Sequence, residues 1–585
     1  VGVPEAFTEP VKDPLGDLLA RYARTHGPFA AAEAAARFGL GPAVVQGALQ
    51  RLAVTGRLVQ GEFRPGGAGA EWCDSEVLRR LRRRSLAALR HEVEPVPPRA
   101  LAAFLPQWQH LGSHRLRGVD GLLRVVEQLQ GALVPASALE RTVLPSRVSD
   151  YTPALLDELT ASGEVLWSGA GALPGKDGWV SLCPADSAPL LRPAPLPLEL
   201  GPLHQALLAA LAPGYGLFFR QLAEQVQQQG LTPAPPELAA ALWDLAWSGH
   251  LTNDTLAPLR SLLGSGRTPG STAHRAPRSA PRPRYGSARP APRSTALPTT
   301  AGRWSLLPAP LADPTQRAHA LAQTLLDRHG VVTRGAAQAE RAPGGFAGVY
   351  RVLAAFEENG RVRRGYVVEG LGAAQFAGDG AIDRLRAVSA ALTTAAEAGP
   401  TGSDAGGYGP EGFGRTGGQR GPGGPSNGGS GPDSFGAGGD GSGGFGRAGG
   451  SGGYGRAGEA GAAGLVLAAA DPANAYGAAL PWPEAPTAAA SGHKPGRKAG
   501  SLVVLLDGEL TCYLERGGRS LLSWAPTPQA LARACAALAR GLQDGLLPDL
   551  TIERINGEPA LTSELGAAFE AAGFHPTPKG LRLRR

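Results

Sequence analysis

Methionine is absent from all 585 residues, position 1 included. The expectation is therefore a stretch of a longer polypeptide that does not open at a natural start. Cysteine is scarce: Cys73, Cys183, Cys512 and Cys535 lie far apart and form no Cys-x-x-Cys pair. That spacing argues against both a zinc site and a disulfide framework, and it suits a reducing cytoplasm. Long apolar runs are missing too. None approaches the roughly 20 residues that cross a bilayer, and no signal peptide opens the chain. A soluble, cytoplasmic protein with no membrane partner is expected. Nucleotide-binding motifs are also lacking, with no Gly-x-x-x-x-Gly-Lys-[Ser/Thr] and no Asp-Glu-x-His or Asp-Glu-Ala-Asp. This stretch is expected to take no cofactor and to hydrolyse no nucleotide.

Charge is present in excess of one sign, +7 at neutral pH with a pI of 9.4. Its location matters more than its sum. Between Ser265 and Leu297 stand Arg267, Arg275, Arg278, Arg282, Arg284, Arg289 and Arg293 with no Asp or Glu; without them 50 basic residues face 50 acidic ones. Nucleic-acid binding by folded parts must then rest on local patches.

Two stretches lack the apolar residues of a core, a Pro/Arg/Ser-rich one and a Gly-rich one with scattered Tyr, Phe and Arg. Around them one pattern recurs: an apolar-periodic helix, a small polar residue, glycine, then an apolar strand. It reads "LQRLAVTGRLVQGEF" from Leu49, "LDELTASGEVLWSG" from Leu156, "LWDLAWSGHLTND" from Leu242 and "LAAFEENGRVRRGYVV" from Leu353. Gly56, Gly163, Gly249 and Gly360 fall where a helix needs a left-handed C-cap. With further helical segments upstream, this is the order of a winged helix. Beyond the fourth copy, short strands with glycine turns read as a small barrel.

The fold class expected is α+β: tandem winged-helix domains followed by a small β-barrel with packing helices. Residues 1–115 read as a winged helix with a helical extension, 116–200 as a winged-helix-like domain and 201–264 as a winged helix. Residues 265–302 read as a disordered basic linker, 303–397 as a winged helix leading into the barrel, 398–463 as a disordered Gly-rich insertion, and 464–585 as the barrel and C-terminal helices.

Several basic clusters are candidates for nucleic-acid contact. "NGRVRRGY" puts Arg361, Arg363 and Arg364 on the fourth expected wing, a geometry suited to clamping phosphates. The first wing has a sparser version in Arg57 and Arg64, whereas the third reads Asn253-Asp254 and is expected to be structural. In "LERGGR", Arg516 and Arg519 flank two glycines that permit a tight turn, so both guanidinium groups can project from one tip. The preceding "GHKPGRKAG" adds His493, Lys494, Arg497 and Lys498. "LRRLRRR" from Leu78 to Arg84 is the densest basic run of the folded sequence. It reads as a solvated helix able to lie along phosphates.

Five stretches, "RGYVVEGLGAAQFA", "AAADPANAYGAALPWPE", "GHKPGRKAGSLVVLLDGELTCYLERGGRSLLSW", "LWDLAWSGHLTNDTLAPLR" and "LDELTASGEVLW" followed by "DGWVSL", resemble the C-terminal region of the large helicase-related (Lhr) family of bacterial superfamily 2 helicases, in its long actinobacterial form. The resemblance covers nearly all of the chain outside the two low-complexity stretches. It implies a parent ATP-dependent DNA helicase acting in repair, with ATP and Mg²⁺ held by motor domains missing here. It also implies DNA, single-stranded or tailed, and self-association as partners.

The same region is similar in architecture to helix-turn-helix DNA glycosylases, which makes base excision the alternative activity. That chemistry needs a carboxylate or amide beside the sugar and a pocket for a flipped base. Asp507, Glu515 and Glu369 are the candidate carboxylates and Gln375 a candidate amide; each also fits a plain turn or salt-bridge role. "QWQ" at Gln107 to Gln109 is similar to the paired catalytic glutamines of those glycosylases but sits away from the expected barrel. A purely structural oligomerisation scaffold is the third reading.

Overall fold

A computed structural model describes residues 10, 12–64, 69–91, 94–264, 297–397, 464–486 and 494–584, with backbone alone for 86–91. One fold plan is repeated four times. The first unit comprises α1 (Pro14–Thr25), β1 (Phe29–Ala30), α2 (Ala31–Phe38), α3 (Pro42–Val54), β2 (Leu58–Gly61) and β3 (Glu71–Asp74), extended by α4 (Ser75–His91) and α5 (Pro98–Trp108). In the second, α6 (Gly118–Leu129), β4 (Val134–Pro135), α7 (Ala136–Ala138), α8 (Pro153–Ala161), β5 (Val165–Leu173) and β6 (Asp177–Pro184) follow, then the short α9 (Ala188–Leu191). The third contains α10 (Pro202–Leu211), β7 (Leu217–Phe218), α11 (Phe219–Gln228), α12 (Pro235–Trp247), β8 (Leu251–Asn253), α13 (Ala257–Leu262) and β9 (Arg303–Leu306). The fourth contains α14 (Pro314–His329), β10 (Val331–Val332), α15 (Arg334–Ala339), α16 (Gly345–Glu358), β11 (Arg363–Gly365), β12 (Gln375–Ala377) and α17 (Ala381–Glu397).

In each unit the last strand lies between the other two, in the orders β1-β3-β2, β4-β6-β5, β7-β9-β8 and β10-β12-β11. This is winged-helix topology in tandem. The cause is local and visible: Gly56, Gly163, Gly249 and Gly360 have φ of 73°, 82°, 79° and 73°, so each releases its helix into the strand through a conformation that side chains resist. The start of α14 is equally explicit. Asp313 accepts from Thr315 N and Gln316 N at 2.7 and 3.3 Å, and Pro314 follows at the first helical position.

Two expected boundaries move. The pairs Leu251↔Leu306 and Asn253↔Trp304 join β8 to β9, and Phe218↔Arg303 joins β7 to β9. Hence β9 completes the third unit. Residues 265–296, most of the stretch read as a basic linker, lie outside the described residues. The third domain ends beyond Leu306, and the fourth begins near α14. In the fourth unit the wing is the loop 366–374; Arg361, Arg363 and Arg364 precede it, on the turn into β11 and on β11 itself.

The second and third units share one core. Trp304 lies 5.5 Å from Trp243 and 6.4 Å from Trp167, ring centre to ring centre, and Trp243 lies 5.4 Å from Trp247. Gly169 allows the close approach, since a β-carbon there would meet the Ala246 carbonyl at 2.2 Å. Arg260 of α13 ties the two units at the rim, reaching Glu140 at 2.7 Å and Asp157 at 2.6 Å. By contrast, the first unit is centred on a small core of its own around Leu19, Phe29, Leu49 and Trp72.

C-terminal to the fourth unit run β13 (Leu465–Ala468), β14 (Leu502–Leu506), β15 (Glu509–Leu514), β16 (Ser520–Ser523), α18 (Pro528–Gln543), β17 (Leu550–Ile552), β18 (Arg554–Ile555), β19 (Glu558–Pro559), α19 (Gly566–Ala571), β20 (His575–Thr577) and β21 (Gly580–Leu583). Six strands make one sheet in the order β13-β14-β15-β16-β18-β19, and β17-β21-β20 make a second. Where a barrel was expected, the described strands leave the larger sheet open, with no pairing between β13 and β19. Helix α18 covers one face, burying Leu531, Cys535 and Leu538 against Val504, Cys512 and Leu514. All four cysteines are buried free thiols; burial pushes Cys512 up to about 12 and Cys183 up to about 11, so neither is a ready nucleophile. No helix among the described residues is long and apolar enough to cross a membrane. The Gly-rich stretch 398–463 and His493 lie outside the described residues.

Candidate nucleic-acid interface

The basic run from Leu78 forms the middle of α4. Asp74 starts the helix by accepting from Glu76 N at 2.9 Å and Val77 N at 3.3 Å. Leu78 and Leu81 are half-buried, and Arg79, Arg80, Arg82, Arg83 and Arg84 are exposed. Among the described residues, Glu76 lies 3.9 Å from Arg79. Helix α4 packs on β3 of its own unit and on β11 of the fourth, the strand that carries exposed Arg363. Tyr366, just beyond β11, is 53% exposed. The sequence reading treated these two clusters separately.

The other arginines expected on the fourth wing are engaged inside the unit. Arg364 donates to the Tyr350 hydroxyl, lies 3.9 Å from buried Glu357 and sits 5.9 Å over the Phe376 ring. In that position it braces α16 against the sheet. Arg361 stacks 4.4 Å over Phe356 and donates to Gln323 at 2.7 Å, although it stays exposed. The true wing is docked, because Val96 N donates to Val367 O and Glu369 N to Val96 O, both at 3.0 Å. In the first unit, Arg64 is likewise held by Glu71 and, at 2.9 Å, by Glu33.

The Glu-Arg-Gly-Gly-Arg tip joins β15 to β16, with Gly517 and Gly518 at φ of 85° and 73°. Arg516 extends from it and donates to the Pro174 carbonyl at 3.0 Å, on the turn between β5 and β6. The tip thus grips the second unit. Arg519 pairs loosely with Glu553 at 3.5 Å and remains largely in water. Lys498 is 3.8 Å from Glu515, and Lys494 is exposed. Arg497 donates to the carbonyls of Asn474, Tyr476, Ala470 and Asp471 at 2.7 to 3.3 Å. Burial depresses its pKa to about 10. It clamps the 470–476 loop.

The carboxylate and amide candidates separate in the same way. Asp507 occupies a left-handed turn position at φ 51° and pairs with Arg533 at 3.0 Å, while Gly508 beside it lets the turn press on the Arg99 carbonyl of α5. Glu369 is exposed. Gln375 is fully buried and bonds both polar groups of Val368 at 2.8 Å, holding the base of the wing. Neither the cavity nor the groove described below is lined by Asp507, Glu515, Glu369 or Gln375. Gln109 is buried as well, accepting from Arg147 at 2.7 Å and donating to the Arg328 carbonyl at 3.0 Å.

That last contact leads to a hub the sequence did not reveal. Arg147, wholly buried, makes a forked pair with Asp471 at 2.7 and 3.0 Å, joining the second unit to the C-terminal region. Close by, Glu340 pairs with Arg328 and His329. Burial alone would raise the Glu340 pKa, but Arg328 and the His329 hydrogen bond outweigh it and hold the carboxyl at about 2. Beside it opens a cavity of about 120 Å³ lined by Trp179, His329, Glu340, Arg341 and Arg497. Arg341 lies 5.1 Å over the Trp179 ring at its edge. A larger groove of about 280 Å³ runs along Arg141, Thr142, Gly500, Arg516 and Leu550. No motif marked the hub, since its members are dispersed from Gln109 to Arg497.

Residues 96–185 and residues 311–397 each match a family model described as "Large helicase-related protein, winged-helix domain". Over its whole length the chain is 46% identical to a Mycolicibacterium smegmatis protein named "Lhr helicase/ probable uracil glycosylase", of which it covers 35%. It is 34% identical over 99% of its length to the Escherichia coli "Lhr helicase/uracil glycosylase", of which it covers 34%. The chain spans about a third of the length of these relatives. The resemblance to the C-terminal region of the large helicase-related family is borne out by these matches.

Proposed function

We propose that this chain, which carries winged-helix domains of the large helicase-related protein, is the nucleic-acid-binding and self-associating C-terminal module of an ATP-dependent DNA helicase acting in repair. ATP and Mg²⁺ belong to the motor domains of such a parent. Single-stranded or tailed DNA is the ligand that fits a helicase product. The observation carrying the reading is the row of exposed arginines on α4, a helix that packs on the strand of exposed Arg363. Each phosphate neutralised there releases condensed counterions, so binding should weaken linearly in log salt with a slope near 0.7 to 0.9 per contact. Replacing Arg79, Arg80, Arg82, Arg83 and Arg84 by Ala should weaken binding across unrelated sequences and flatten that slope. Unchanged affinity and slope would remove α4 from the interface.

Base excision is the second reading, supported by the names of both relatives. The cavity beside Glu340 is the size of one small ring and has an aromatic wall in Trp179. Glu340, held ionised, has the charge to stabilise an oxocarbenium-like sugar but, at about 2, little basicity to activate water. Release of free uracil from a uracil-containing strand, lost in Glu340→Gln with the fold intact, is the expected result. Full release by that variant would place the chemistry elsewhere.

A further inference from the structure

We infer that the β7–β9 edge of the third winged-helix unit is a stacking site for single-stranded nucleic acid, with Phe218 and Tyr215 as base platforms and Arg303 and Arg220 as their cationic partners. The proposal rests on the nucleic-acid-binding reading above and adds to it a second surface and a strand type. Phe218 is 47% exposed and Tyr215 60%. Among the described residues only Tyr366 is a comparably exposed aromatic ring, so two of three such rings fall within four positions of one edge. Neither is needed by the core, into which the neighbouring Phe219 packs instead.

Arg303 is placed to work with these rings. It pairs with Phe218 across the antiparallel strands, and its guanidinium lies 5.2 Å from the ring centre. Gly216 makes this possible, since a β-carbon there would come within 3.2 Å of the Arg303 β-carbon. The plane of the guanidinium and the open face of the ring offer adjacent surfaces on which a base can stack whatever its identity. Arg220 is 91% exposed and holds Glu224 at 3.0 Å, a surface pair of small net value that a phosphate can displace.

The two polar residues that open this wing in sequence are engaged by its own backbone. Asp254 accepts from Arg303 N at 2.7 Å, and Asn253, buried, donates to the Ala301 carbonyl at 3.0 Å and accepts from Thr255 N at 3.0 Å. At the edge itself Arg303 and Arg220 supply the positive charge that favours a polyanion. A duplex hides its base faces and cannot use the rings; a single strand can.

The test is fluorescence anisotropy on the whole chain with a labelled oligo-dT strand and a duplex of equal length, comparing Tyr215→Ala/Phe218→Ala with the parent. Loss of two stacked bases should weaken single-strand binding by about tenfold or more and duplex binding by less than about twofold. Phe218→Trp should retain single-strand affinity, whereas Phe218→Leu, apolar but without a stacking face, should not. Equal single-strand affinity in the double variant, or equal loss on strand and duplex, would overturn the proposal while leaving α4 binding intact. If the parent chain binds neither oligonucleotide, this proposal and the nucleic-acid-binding reading fall together.

Discussion

The third and fourth winged helices are built on the same plan and present opposite surfaces. In the fourth, two of the arginines that look like a phosphate clamp are engaged by their own unit: Arg364 meets Tyr350 and Glu357, Arg361, though exposed, covers Phe356, and the wing itself is hydrogen-bonded to Val96. In the third, the polar residues that look unfit for phosphate are bonded to the backbone of their own wing, and two aromatic rings are left in water beside Arg303. Arginine count along a sequence therefore does not locate an interface. What decides is whether a carbonyl, carboxylate or ring of the same chain meets the guanidinium first.

The contrast is sharpest for an arginine with no access to solvent. Arg147→Ala should destabilise the chain by about 3 to 5 kcal/mol, because it leaves Asp471 buried without its partner. Chemical denaturation checks this. A loss below about 1 kcal/mol would show that the hub is not what holds the second unit to the C-terminal region.

Acid should find the neighbouring cluster next. Glu340 is held below its ordinary 4.5, at about 2, so the folded state binds its proton more weakly than the unfolded chain does. Its contribution is complete above about pH 4.5 and is lost as pH falls towards about 2. Glu340→Gln should flatten the stability profile in that window, and an unchanged acid limb would contradict the pairing.

Within the fourth unit, Arg364→Ala should cost about 1 to 3 kcal/mol, the penalty of removing a charged hydrogen-bond partner from a half-buried site. It should leave the salt dependence of DNA binding unchanged. Arg516→Ala is expected to have the smallest effect, about 0.5 to 1.5 kcal/mol, since one exposed bond to the Pro174 carbonyl is lost. A large drop in DNA affinity at unchanged stability would return that tip to the interface.

The legible part of the fold was the part set by neighbours in sequence. Glycine C-caps, helical periodicity and the order of elements were enough to count four winged helices, because a left-handed residue after a helix is a local requirement. The pairing of β8 with β9 was not legible. It joins strands across some fifty residues of composition that predicts no structure, and loop closure at that length costs little more than at half of it. The open sheet was hidden for a similar reason: short strands with glycine turns are common to barrels and open sheets. At the candidate site, Arg363 and the α4 run were visible as charge, but the packing of α4 on β11 joins elements of two different units and was not legible. Arg497 could not be recognised as engaged, since the four carbonyls that accept its hydrogen bonds come from a loop more than twenty residues away.

The most direct test sets exposed arginines against engaged ones in one experiment. The slope of log affinity for DNA against log salt would be measured for the parent, for the five-arginine α4 variant and for Arg364→Ala/Arg516→Ala. The account predicts a slope shallower by up to about 0.9 per lost contact for the α4 variant and a parental slope for the other. A parental slope for the α4 variant together with a shallower one for Arg364→Ala/Arg516→Ala would contradict it.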